Sequence, residues 1–87
     1  MTQPTDKIEE LDTTGYRCPV PVIRAEAALR KLSDGFSLKI LADDPLAAID
    51  IPHFCKEAGH KVVRLENEGT DDRPISVFLV TPEGKPT

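Results

Sequence analysis

At 87 residues the chain has room for one domain with a small core, and with no Trp and few aromatic residues that core must be aliphatic. A net charge of −4 argues against sequence-independent nucleic-acid binding, which needs a basic footprint. No apolar stretch approaches the length of a membrane-spanning helix, and residues 1–6 carry no signal-peptide apolar run, so the two cysteines are expected as reduced thiols in the cytoplasm rather than as a disulfide.

Residues 1–7, with Thr, Gln, Pro and Asp, read as a loose tail. A first strand is predicted over residues 8–13, followed by a turn at Thr14-Gly15. The first helix is predicted from about residue 21 to residue 33, with Val22, Ala25, Leu29 and Leu32 forming one apolar stripe. Glu26 and Arg30 sit at i and i+4 in the favourable order, and Gly35 can take the left-handed conformation that ends a helix. Phe36, Leu38, Ile40 and Ala42 alternate with Ser37, Lys39 and Leu41, the pattern of a strand with one buried face.

Asp44 and Pro45 are expected as N-cap and first residue of a second helix whose apolar side is Leu46, Ile49, Phe54 and Ala58. Pro52 predicts a kink or break near Asp50-Ile51-Pro52, and Gly59 ends the helix. A third strand is expected over residues 61–66, a polar hairpin connection over 67–74 and a fourth strand over 75–80. Glu66, Glu68, Asp71 and Asp72 read as its solvated tip, and residues 81–87 as a frayed end.

The order is βαβαββ. Strands joined through helices should run in one direction, and the last two should form an antiparallel hairpin. The expected fold is an α/β two-layer sandwich: a four-stranded mixed sheet with both helices on one face, in a single domain over 1–87 with its core at about 8–81 and tails at 1–7 and 82–87. The first helix then starts at the carboxyl end of the first strand, where sites in such sheets form.

Arg17-Cys18-Pro19-Val20-Pro21 occupies that junction. Pro19 pushes Cys18 out of the helical region, and proline suits a helix's first turn. Cys18 is thus presented at a helix N-terminus, where free N–H groups and the macrodipole are expected to lower a thiol's pKa, with Arg17 adding positive charge. Cys55, beside Phe54 and Ala58, reads as a core thiol, with a resolving or second sulfur site as the alternative. His53 and His60 lack the paired spacing of zinc ligands, and no metal is expected. Asp43 and Asp44 could be an acid–base pair, but capping by Asp44 is the simpler account.

Leu11-Asp12, Gly15, Cys18-Pro19-x-Pro21, Gly35, Asp43-Asp44-Pro45, Asp50-Ile51-Pro52, Phe54-Cys55 and Gly59-His60 together resemble the TusA/SirA-like sulfur-carrier family over nearly all of residues 11–80. The bare CPxP motif recurs by chance. Its place at the head of the first helix, with Asp-Pro heading the second, is far more specific, and the element order agrees with that family's fold. The resemblance implies a sulfurtransferase without cofactor, in which Cys18 accepts sulfane sulfur from a cysteine desulfurase or another rhodanese-like donor. Cys18 would hold it as a persulfide and pass it to an acceptor protein. Relatives feed 2-thiouridine synthesis on tRNA, molybdenum-cofactor synthesis or sulfur oxidation. Tyr16 departs from the aliphatic residue usual there, which bears on partner choice.

A thiolate attack on a donor persulfide needs an exposed nucleophile, and with the thiolate populated no general base is demanded. Arg17 would assist by electrostatics or docking, and Pro19 and Pro21 by shaping the site. A monomer suits a carrier visiting two partners. Competing readings are a thiol redox protein using Cys55 as resolving thiol, an interaction or regulatory module in which CPxP merely starts the helix, and direct tRNA binding, which the acidic balance disfavours.

Overall fold

The computed structural model describes residues 7–33 and 35–82. Its elements are β1 (Ile8–Asp12), α1 (Val20–Lys31), β2 (Ser37–Ala42), α2 (Ala47–Glu57), β3 (Lys61–Gly69) and β4 (Pro74–Thr81). Of the tails expected at 1–7 and 82–87, residues 1–6 and 83–87 lie outside the described residues, whereas the Lys7 carbonyl already accepts the Ser37 N–H at 2.8 Å.

One four-stranded sheet has the order β1-β2-β4-β3. β1 pairs parallel with β2, and β4 pairs antiparallel with both β2 and β3. The last strand therefore lies between two strands that run in the same direction. Leu38, Ile40 and Ala42 of β2 share one sheet face with Phe78 and Val80 of β4, and all five are buried. Ala25 of α1 and Ala47, Ile51 and Cys55 of α2 close the same cluster, so both helices cover that face. The sandwich expected from the element order is the one observed.

α1 buries the stripe its spacing predicts: Ala25 is buried, and Val22, Leu29 and Leu32 pack against the core. It ends at Lys31 because Leu32 turns extended (φ −68°, ψ 134°). Gly35, with φ +84°, serves the turn into β2 rather than the helix cap expected of it.

α2 departs from its expected reading in three ways. It begins at Ala47 behind Leu46, with Asp44 a turn ahead. It runs unbroken through Pro52, with no break between Asp50 and Pro52. The lost N–H partner of Pro52 would have been the Ala48 carbonyl, and Ile51 and Cys55 pin the helix to the sheet on either side. Finally, its buried face is Ala47, Ile51 and Cys55, spaced by four, while Leu46 and Ile49 are 59% and 67% exposed. Small residues at 47 and 55 let the helix approach the sheet closely. Of the expected apolar side, Phe54 does pack against the core, whereas Leu46, Ile49 and Ala58 face outward.

β3 and β4 extend further than expected. A bulge between Leu65 and Glu68 keeps the pairing going to Gly69 and Pro74, and Thr70–Arg73 closes the hairpin with reciprocal backbone bonds of 3.3 and 3.1 Å. Gly69 (φ +84°) is required there, since a Cβ would collide with the Arg73 carbonyl oxygen. Glu66 and Glu68 lie in β3 rather than at the tip, exposed as expected, and the Glu68 carboxylate meets Lys39 Nζ of β2 at 3.3 Å.

Ile51→Ala is expected to cost about 2–5 kcal/mol in urea unfolding, whereas Ile49→Ala is expected to stay within about 0.5 kcal/mol of the parent. Equal effects would contradict the orientation of α2.

Candidate functional site

Because β1 and β2 are parallel neighbours, the loops that follow them leave the same edge of the sheet. Thr13, just past β1, is buried, and both its N–H and its hydroxyl donate to the Leu41 carbonyl. Asp12 Oδ1 then accepts the Thr14 N–H at 2.9 Å and its hydroxyl at 2.6 Å, which folds the chain into a turn at Gly15 (φ +89°). The Gly15 N–H donates to the Asp43 carboxylate at 3.0 Å, tying this loop to the one after β2.

Cys18 follows, half-buried, with Pro19 as the residue before α1 and Pro21 buried beneath the first turn. The Cys18–Pro19 peptide is cis. Two aspartates hold Cys18. Its N–H donates to Asp44 Oδ2 at 2.6 Å, and its Sγ donates to Asp50 Oδ2 at 2.7 Å. Asp44 is buried and its other oxygen accepts the Leu46 N–H at 3.3 Å, so one carboxylate both steadies the entry to α2 and anchors the cysteine.

The thiol's acidity runs opposite to expectation. Cys18 is pushed up to about 11 by its hydrogen bond to Asp50, then by desolvation, then by the charges of Asp50 and Asp44. The helix end offers little to offset this. Pro19 and Pro21 have no N–H, and the Val20 N–H is taken by the Arg17 carbonyl at 2.8 Å. Arg17 itself is exposed. At rest Cys18 is a neutral thiol with a carboxylate against it.

The sequence places Asp50 at a kink, and favours Asp44 as a cap over an acid–base pair with Asp43. The topology held the missing signal, since parallel β1 and β2 bring residues 43–50 to the cysteine loop. Tyr16 stacks under Arg24, whose Cζ is 4.5 Å from the ring centroid. Tyr16, Ile23, Leu46 and Ile49 are 41%, 58%, 59% and 67% exposed, and all belong to the loop or the opening turns of α1 and α2 at this end. Cys55 is fully buried, and burial pushes its thiol up to about 11. It lies five residues beyond Asp50, about 7.5 Å further along α2.

The two histidines lie apart from Cys18. His53 pairs with Glu57 at 3.4 Å, and His60 lines a cavity of about 590 Å³ with Leu29, Leu32, Phe36 and Phe54, away from Cys18. Among the described residues no three His, Cys, Asp or Glu side chains gather as a metal site, and no helix is long and apolar enough to cross a membrane.

A family model described as "Sulfurtransferase TusA" matches residues 9–75. The chain is 44% identical over 68 residues to the sulfur carrier protein TusA of Pseudomonas paraeruginosa, covering 78% of this chain and 84% of that protein. A crystal structure of a SirA-like protein from Desulfitobacterium hafniense superposes with a TM-score of 0.68 at 30% identity, over 87% of this chain and 99% of that one.

Alkylation of Cys18 by iodoacetamide, followed by intact mass, is expected to quicken about tenfold per pH unit from pH 7 upward, because only the thiolate reacts and its fraction keeps growing until about pH 11. Asp50→Asn removes the charge that favours the thiol, so its profile is expected to shift to lower pH. A plateau near pH 7 in the parent would contradict the described electrostatics.

Proposed function

Because this chain belongs to the TusA sulfurtransferase family, we propose that it is a persulfide carrier that takes up and releases sulfur on Cys18. A cysteine desulfurase or another persulfide-bearing protein is the donor, and a downstream protein thiol is the acceptor, in a cytoplasmic relay of the kind that ends in tRNA 2-thiouridine. The observation that carries this reading is the placement of Cys18: it is partly accessible at the head of α1, while the second cysteine is sealed in the core.

Sulfur transfer between thiols is exchange at a sulfur–sulfur bond, with the terminal sulfur of the donor persulfide as electrophile. It needs one nucleophilic thiol and close docking, with neither metal nor cofactor. Exposed Tyr16, Ile23, Leu46 and Ile49 supply an apolar rim around the thiol, the composition of a transient docking surface. Arg17, Pro19 and Pro21 shape and charge the same rim. One thiol serving a donor and then an acceptor works in a monomer. Net charge −4 directs the carrier toward protein partners rather than toward RNA.

A dithiol redox cycle is less well supported, because its one candidate resolving thiol, Cys55, is fully buried in the core. An interaction module would not need the thiol at all.

Intact mass after incubation with a cysteine desulfurase and cysteine is expected to show one or more added sulfur atoms, removable by reductant, on the parent and on Cys55→Ser but not on Cys18→Ser. Sulfur on Cys18→Ser, or on none of the three with several donors, would sink the carrier reading.

A further inference from the structure

The contact between Cys18 and Asp50 has a chemical role if the carrier reading holds, on which the following rests. A carboxylate only accepts hydrogen bonds, so in the 2.7 Å contact the proton resides on sulfur. Both partners are held in place. Asp50 precedes the fully buried Ile51 and donates its own N–H to the Leu46 carbonyl at 2.9 Å. Cys18 is fixed from the opposite side through its N–H to buried Asp44. We infer that Asp50 is the proton shuttle of sulfur transfer, taking the Sγ proton as Cys18 bonds the incoming sulfur and returning it to the thiolate that departs.

In loading, a lone pair of Cys18 Sγ forms the bond to the terminal sulfur of the donor persulfide. The donor's sulfur–sulfur bond breaks, and its electron pair leaves on the donor cysteine. The Sγ proton passes to Asp50 Oδ2 and on to the departing thiolate. A thiol and a persulfide become a persulfide and a thiol, with no oxidant or reductant consumed. Unloading runs the step backwards, with Cys18 as the departing thiolate that Asp50 reprotonates.

A carboxylate suits this task. Before attack the Cys18 thiol is a weak acid, held near 11, so a route through prior ionisation starts from only a small minority of thiolate at pH 7. Once the new sulfur–sulfur bond forms, a proton left on Sγ would be strongly acidic. The Asp50 oxygen already in contact with Sγ is placed to take it as the bond forms, and positioned general bases of this kind are worth about 10²–10⁴ in rate.

The rival role for Asp50 is a guard that merely suppresses the thiol, and the two differ in sign. Asp50→Asn keeps an accepting oxygen but can take no proton. We would load the parent, Asp50→Asn, Asp50→Glu and Cys18→Ser with glutathione persulfide, a donor too small to need the docking rim. Each would also be alkylated with iodoacetamide at the same neutral pH. The shuttle requires Asp50→Asn to load about a hundredfold slower than the parent while alkylating faster, and Asp50→Glu to recover most of the loading rate. Asp50→Asn loading as fast as the parent or faster would make Asp50 a guard and overturn the inference. Equal slowing of both reactions would make it a structural prop and overturn it too. If circular dichroism shows Asp50→Asn unfolded, Asp50→Ala is judged by the same criteria. A parent that takes no sulfur on Cys18 from glutathione persulfide or a desulfurase fails the carrier reading itself, which is a different result from loading that ignores Asp50.

Discussion

The parallel pairing of β1 and β2 is the constraint on which the site depends. Register sets Asp12 beside Leu41, and Thr13 extends the pairing by placing two donors on the Leu41 carbonyl. From that shared edge both chains leave in the same direction. Their loops are then stitched together by Gly15 to Asp43 and by Cys18 to Asp44. α2 starts from the second loop and carries Asp50 to the thiol. An antiparallel neighbour for β1 would send the two loops to opposite ends, and no side chain of the site would meet another.

The same geometry decides an electrostatic contest. A helix N-terminus stabilises an anion through free N–H groups, and α1 has few to give because two of its opening residues are proline and Val20 is already bonded. Two carboxylates at hydrogen-bond distance outweigh that remnant. A thiol kept neutral reacts slowly with peroxide as well as with alkylating agents, because oxidation also proceeds through the thiolate. The Cys18 thiol is therefore quiet toward small reagents that need a thiolate.

What the sequence made legible follows from which patterns are local. The stripe of α1 and the strand at β2 are set by neighbours within a few residues; the stripe stands as read, and β2 buries Leu38, Ile40 and Ala42 as read but also buries Leu41 on the face expected to be open. The element order also sufficed for the sandwich, because right-handed crossovers and a final hairpin leave few arrangements. α2 was legible in part: Phe54 packs against the core and Cys55 is buried as read, but Leu46 and Ile49 face outward because Ala47, Ile51 and Cys55, spaced by four, make the face that meets the sheet. Pro52 misled because its local penalty is overridden by packing on both sides. Cys18 could be singled out from its prolines, but its acidity could not, since the groups that control it lie 26 and 32 residues away.

The central position of β4 bears on how the chain is made. It is the last of the four strands to leave the ribosome, yet it supplies Phe78 and Val80 to the core and hydrogen-bonds both β2 and β3. Until it arrives, the earlier segments can form helices and the β1–β2 pair, but β3 has no neighbour and the core lacks its middle. The sheet therefore cannot be completed until β4 has emerged, and a chain interrupted before Pro74 presents open strand edges to every other chain nearby.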